Sequence, residues 1–370
     1  MKIFFSSGEA SGDHLAALLL KALRKRVPGL DCWGMGGREG TEAGMRTEWS
    51  SEVLQLMGIG EVLSSIPRLV ALKRALCRRI EEEKPDAVVV VDSPDFHFPL
   101  LSQLRQSGYR GRIVYLAPPQ VWAWRSGRTS FLRSACDLCL PLFDFEHDFL
   151  LGRGVASAWN GHPFVDEFGG FEKPGQPEER GRQVALLPGS RASEVRRLLP
   201  VLKETAKLLL DRAFEPVFSI APGLDGRERD RLGHALAGFR TDMGEGKALM
   251  ADSCCVIGAS GTAAVESMML DRFMIVLYRG SVSSEIIFRL LVKTPHISIP
   301  NRLAGFRLYP ELIQAQVRPS AILEYFEDYW ADGAKRRDFH ERLEVARSRM
   351  GKPGVGDFWA DRVLGDLASQ

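Results

Sequence analysis

The sequence predicts an α/β protein built as two Rossmann-like domains with an interdomain cleft for a ligand. Three observations carry that prediction. Short apolar runs alternate with amphipathic stretches, the rhythm of βα units in a parallel, doubly wound sheet. Ala87 to Val91 is a run of five small or β-branched residues, as suits a strand buried on both faces. The rhythm stops at Gly169 to Gly181, a stretch rich in Gly, Pro and charge, and then restarts. The chain has 370 residues, and at roughly 150 residues per domain that suits two domains.

Met1 to Ser7 reads as a strand, Gly8 to Gly12 as a loop, and Asp13 to Val27 as a helix with Leu15, Leu18, Leu19, Ala22 and Leu23 on one face. Ala87 to Val91, Arg112 to Leu116 and Asp137 to Leu142 are further strands of a first domain, residues 1–168. In a second domain, residues 183–350, Val184 to Leu187 is a strand, Pro188 to Arg191 a loop and Glu194 to Leu210 a helix. Val217 to Ala221, Cys254 to Gly258 and Phe273 to Tyr278 are its next strands, and Ala334 to Met350 is helical. Residues 351–370 hold a last helix, Asp357 to Leu367, which fold analogy expects to cross back to the first domain.

A formal net charge of +2 marks no nucleic-acid binder, so attraction to an anionic surface must come from local clusters. The opening apolar run, Ile3 to Phe5, is too short for a secretory signal, and no uncharged apolar stretch approaches a membrane span. The expectation is a cytoplasmic protein, or one that sits on the cytosolic face of a membrane. Six cysteines include a CxxC pair, Cys136 and Cys139, with no second pair or His cluster to complete a zinc site. All six are expected to be reduced and core-packed.

Several loops carry candidate chemistry. Gly8-Glu-Ala-Ser-Gly-Asp13 joins the first strand to the first helix, where a glycine loop and a helix N-terminus favour an anion. It also reads as a tight turn with Ser11 or Asp13 as N-cap. Gly34 to Gly40 has GxGGxxG spacing but sits at the second strand, not the first, which makes it a weak dinucleotide signal. Asp92 ends a buried strand, where catalytic groups are placed, and Asp95 sits where an N-cap belongs. Asp92 is therefore the general-base candidate. The loop Pro118 to Arg125, with Gln120, Trp124 and Arg125, offers an apolar wall beside a phosphate-pairing cation. In the second half, Leu187-Pro-Gly-Ser190-Arg191 and Gly258-Ala-Ser260-Gly261-Thr262 both join a strand to a helix. Arg191 can fork onto a diphosphate, and the backbone of Ser260 to Thr262 can form an anion nest. Glu266 follows one helical turn on, where it can accept from ribose hydroxyls. Two such loops in one domain suggest a nucleotide diphosphate. No GxxxxGK[ST] motif points to a P-loop enzyme, and no HExxH or DxD-like pair points to a metal.

Taken together, GEASGD at Gly8, MGIGEVL at Met57, DSPDF at Asp92, PQVWAWR at Pro119, GHP at Gly161, LLPGSR at Leu186, ASGTAAVE at Ala259 and VKTPHISIPNRLAG at Val292 make the chain resemble the lipid-A-disaccharide synthase family. These are inverting glycosyltransferases of the GT-B fold. The resemblance runs along nearly the whole chain. It implies transfer of diacylglucosamine from UDP to the 6-hydroxyl of diacylglucosamine 1-phosphate, giving a β-1′,6-linked disaccharide. It implies that Asp92 is the essential aspartate, that Arg191, Glu266 and Asn301 contact UDP, and that Ser11 is the glycine-loop serine. It implies no cofactor or metal, and the partners are the two lipid substrates and an anionic membrane surface. A homodimer is allowed and no nucleic acid is expected. Two departures stand out: His97 where Asn is common, and Asp144-Phe-Glu146 in place of Pro-Phe-Glu. Other classes weighed are a UDP-sugar 2-epimerase, a nicotinamide oxidoreductase and a non-catalytic nucleotide-binding module. Two stretches could dock on a membrane. They are Val62 to Ile80, with Arg68, Lys73, Arg74, Arg78 and Arg79, and Ile286 to Lys293.

Overall fold

The computed structural model describes residues 1–55, 62–122, 127–170, 181–244, 246–280 and 296–365. The chain divides into two compact units, Met1–Asp166 with Gly351–Gln370, and Glu167–Met350.

The first unit contains β1 (Lys2–Ser7), β2 (Asp31–Gly36), β3 (Arg46–Ser50), β4 (Ala87–Val91), β5 (Arg112–Leu116) and β6 (Leu138–Leu140). They form one parallel sheet in the order β3-β2-β1-β4-β5-β6. The strand order reverses direction between β1 and β4, and loops at the carboxyl ends of strands flanking such a point are where open α/β sheets take ligands. Burial explains the apolar run of β4. Ala87, Val89 and Val91 pack in one cluster with Ile3 and Phe5 of β1, while Val88 and Val90 pack in the opposite one with Phe4. All five β4 residues are fully buried.

The helix Val355–Leu364 belongs to this unit. Val355, Trp359, Ala360 and Val363 join the cluster that holds Leu19, Leu20 and Leu23 of the helix Ala10–Arg26. Arg26 bridges Asp357 at 2.7 Å and Asp361 at 2.6 Å. The Asp166 carboxylate accepts from the Gly354 and Val355 N–H groups at 2.6 and 2.9 Å, satisfying donors at the helix start.

The second unit contains β7 (Gln183–Leu187), β8 (Glu215–Ser219), β9 (Arg240–Asp242), β10 (Cys255–Ala259), β11 (Met274–Tyr278) and β12 (Glu311–Ile313). Its parallel sheet runs β12-β11-β10-β7-β8-β9, the same winding as the first, with the reversal between β7 and β10.

Two local expectations change. The first helix begins at Ala10 with Glu9 as N-cap, so Ser11 and Asp13 lie inside its first turn and neither caps it. The Asp13 carboxylate instead accepts from the N–H groups of Gly37, Glu39 and Gly40 at 2.7, 2.9 and 3.2 Å. The glycine cluster after β2 thus wraps a carboxylate of its own chain, which accounts for its spacing without a dinucleotide. Asp95 is likewise not a cap. Ser93 holds that position before the helix Pro94–Gln106, and Asp95 is exposed and pairs with Arg128 at 2.7 Å. All six cysteines are free and buried.

Candidate functional site

In the first unit, the loops after β1 and β4 meet at the reversal point. A Cβ on Gly8 would overlap Ser93 Oγ, so only glycine lets the two loops approach this closely. Asp92 directly follows β4 and is half-buried. It is a non-glycine residue in the left-handed region, with φ of 51°, and so is Ser93, with φ of 45°. The Asp92 carbonyl accepts from Tyr115 Oη at 2.8 Å and from His97 Nδ1 at 2.7 Å. The other His97 nitrogen, Nε2, lies 2.9 Å from Ser6 Oγ. A carbonyl can only accept, so Nδ1 carries the proton and Nε2 accepts from the serine. His97 is fully buried, and burial pushes its pKa down to about 4, against a weaker upward pull from the Asp92 carbonyl. The ring is neutral at physiological pH.

Of the other residues expected on this side, Ser11 and Gln120 are exposed. Trp122, two residues after Gln120, donates Nε1–H to Glu146 at 2.9 Å. Trp124 and Arg125 lie outside the described residues, as does MGIGE at 57–61.

In the second unit, the loops after β7 and β10 border a pocket of roughly 300 Å³ lined by Gly189, Ser190, Arg191, Ser260, Gly261, Thr262 and Glu266, among others. Five of the expected residues beyond the glycine therefore gather at one place, four of them just past the carboxyl ends of the strands flanking the reversal and Glu266 on the helix that follows β10. Arg191 immediately precedes the helix Ala192–Leu210, and its side chain is 69% exposed. Glu194, which sequence reading passed over, also lines the pocket. Its Oε2 accepts from Ser190 N–H at 3.2 Å, and its Oε1 lies 3.8 Å from Arg191 Nη1.

The anion nest shifts by one residue from its expected place. The Ser260 N–H is committed to Leu277 O at 2.9 Å, as part of the sheet edge. The donors at this turn are those of Gly261, Thr262 and Ala263, because the first N–H groups of a helix have no partner within it. Gly261 has φ of 147° and ψ of −148°, a conformation essentially reserved for glycine. It turns the chain from β10 into the helix Thr262–Met269.

Asn301 stands apart from this group. It is fully buried, and its amide makes four hydrogen bonds. Nδ2 donates to Tyr309 O and Glu311 Oε1, and Oδ1 accepts from the N–H groups of Leu308 and Tyr309. A direct contact with a nucleotide would have to break one of them. Glu311 also accepts from Ser298 N and Oγ at 2.8 and 2.7 Å, so Asn301 and Glu311 together fix the segment 297–311. Among the described residues, no group of three His, Cys, Asp or Glu side chains is placed to hold a metal ion.

The family model described as LpxB, lipid-A-disaccharide synthetase, matches residues 3–350. A lipid-A-disaccharide synthase of Myxococcus xanthus is 35% identical over 98% of this chain and 97% of its own length. That of Azotobacter vinelandii is 36% identical over 88% of each chain. Among solved structures, the S. aureus MnaA-UDP co-structure superposes with a TM-score of 0.66 at 14% identity, covering 100% of this chain and 96% of that one. The calicheamicin glycosyltransferase CalG4 gives a TM-score of 0.59 at 16% identity over 99% of each chain. A Neisseria meningitidis UDP-GlcNAc 2-epimerase bound to UDP-GlcNAc gives 0.63 at 11%, covering 100% of each. At such identities the likeness is one of fold, and the fold serves transferases and epimerases alike.

Proposed function

Since the chain belongs to the lipid-A-disaccharide synthase family, glycosyltransferases of lipid A biosynthesis, we propose how its residues divide that transfer between the two units. The family implies UDP-diacylglucosamine as donor and diacylglucosamine 1-phosphate as acceptor. The Asp92 carboxylate takes the proton of the acceptor's 6-hydroxyl as that oxygen bonds to the anomeric carbon. The bond from that carbon to UDP breaks on the opposite face, and UDP leaves with the electron pair. Arg191 and the N–H groups of Gly261, Thr262 and Ala263 stabilise the departing diphosphate, with Ser190 beside them. This is general-base catalysis joined to electrostatic stabilisation. Glu266 accepts from the ribose hydroxyls, and Asn301 acts through the segment it fixes. Ser11, Gln120, Trp124 and Arg125 serve the acceptor side. The scheme uses no cofactor.

The observation that carries this reading is the pocket at the reversal of the second sheet, where a helix-start nest and an exposed guanidinium share one wall. Its test is acceptor dependence: UDP should be released from the donor only when the acceptor lipid is present.

Among the described residues no helix is long and apolar enough to cross a membrane. We propose that the helix Val62–Glu83 meets an anionic lipid surface through its exposed residues. Its later apolar residues do not take part, because Leu76 and Ile80 are fully buried in the first unit. Arg79 is also engaged, with Glu48 at 3.2 Å, with Glu83 at 2.9 Å and over the Trp33 ring. Exposed along this helix are Ile66, at 45%, and the cations Arg68, Arg74 and Arg78. Each cation near such a surface adds about 1 kcal/mol. Sedimentation with anionic vesicles should carry the protein down at low salt, and Arg68→Glu, Arg74→Glu and Arg78→Glu together should leave it in the supernatant. A triple variant that pellets like the parent would remove this helix as the contact. The second stretch, Ile286 to Lys293, lies outside the described residues.

A further inference from the structure

We propose that His97 and Tyr115 are positioning residues that clamp the Asp92 peptide and thereby aim its carboxylate. The inference rests on the reading of Asp92 as the base.

The clamp answers a backbone problem. Asp92 and Ser93 are consecutive non-glycine residues at φ of 51° and 45°. Ser93 also precedes Pro94, whose ring disfavours helical conformations in the residue before it. A turn of this kind persists only where its surroundings over-determine it. Here they do so through one atom. A carbonyl oxygen has two lone pairs, and the Asp92 carbonyl fills both, with Tyr115 Oη from β5 at 2.8 Å and His97 Nδ1 from the following helix at 2.7 Å. Ser6 on β1 holds the far side of the His97 ring at 2.9 Å, and Asp92 N–H donates to Leu116 O at 3.2 Å. Three elements thus converge, directly or through the His97 ring, on the backbone of one residue. The Phe96 and Tyr115 rings lie edge-on to the imidazole, with centroids 5.5 and 6.2 Å away. If the carbonyl swung free, the turn could relax and the side chain on the same residue would turn with it. A base displaced by a fraction of a bond length loses rate while the binding of substrate elsewhere is unchanged.

The test compares kcat, KM and UDP affinity across four variants. Tyr115→Phe removes one hydroxyl and keeps the ring. His97→Leu removes the ring donor, and His97→Asn keeps a donor at that position. Tyr115→Phe and His97→Leu should each lower kcat by about tenfold and the double variant by about a hundredfold, one hydrogen bond's worth at each step. KM for both substrates and UDP affinity should hold, and His97→Asn should recover most of the lost kcat. A packing role predicts the reverse order, with Leu tolerated better than Asn in this buried place and kcat following the melting temperature. Wild-type kcat in Tyr115→Phe and in the double variant would overturn the clamp; if Asp92→Asn is inactive in the same assay, the base survives that result. An active Asp92→Asn would instead remove the base and the clamp with it. Should the double variant fail to fold, Tyr115→Phe alone decides.

Discussion

Replacing Asp92 by Asn should lower kcat by ~10²–10⁴-fold, the usual worth of a general base, while UDP binding and the fold stay as they are. The substitution is isosteric, and the groups that lock the local backbone bind the Asp92 carbonyl, which Asn retains. The groups proposed to bind the nucleotide reside in a different unit, in the loops after β7 and β10. A loss confined to kcat is the signature of an interaction made only in the transition state. Stopped-time assays paired with UDP calorimetry would measure both quantities. Near-normal turnover would move the base elsewhere, to Asp95 or to solvent. Asp95 is a poor substitute, since it points to solvent and pairs with Arg128.

The second large effect is expected at Arg191. Arg191→Ala should weaken UDP binding by ~10–100-fold, from the loss of charge-assisted hydrogen bonds worth roughly 1.5–3 kcal/mol. With 69% of the side chain exposed, its removal should barely move the melting temperature. Arg191→Lys should recover only part of the affinity, because an ammonium keeps the charge and loses the fork that grips two oxygens. If the guanidinium supplies the positive charge, EDTA should leave turnover unaltered. Inactivation by EDTA that magnesium or manganese reverses would refute that assignment.

Much of this was legible from residue order alone, because the signals were local. Ala87 to Val91 and Arg112 to Leu116 are strands with the bounds their apolar runs imply. The two glycine-bearing loops of the second half stand together because strands that end in such loops are neighbours at the reversal. Signals that depend on contacts distant in sequence were not legible. Tyr115 reads as one more apolar strand residue, and only the three-dimensional neighbour 23 positions earlier gives its hydroxyl a purpose. His97 was visible as an oddity, but its partners lie on two other elements. The Ser260 N–H was assigned to the nest because the ladder with β11 cannot be read from the loop itself. Asp13 looked like a cap for its own helix, while its carboxylate caps the short helix Arg38–Glu42, which begins 25 residues on. Asn301 matched a motif, yet the motif does not say that all four bonds of its amide are spent inside the protein.

Mass spectrometry of the lipid fraction tests the central claim most directly. The protein is incubated with UDP-diacylglucosamine and diacylglucosamine 1-phosphate, and in parallel with UDP-N-acetylglucosamine alone. The account predicts a disaccharide monophosphate whose mass is the sum of the acceptor and diacylglucosamine less one water, UDP released in equal amount, and no change in the solitary nucleotide sugar. Conversion of UDP-N-acetylglucosamine to its 2-epimer, with the two lipids recovered unjoined, would contradict it.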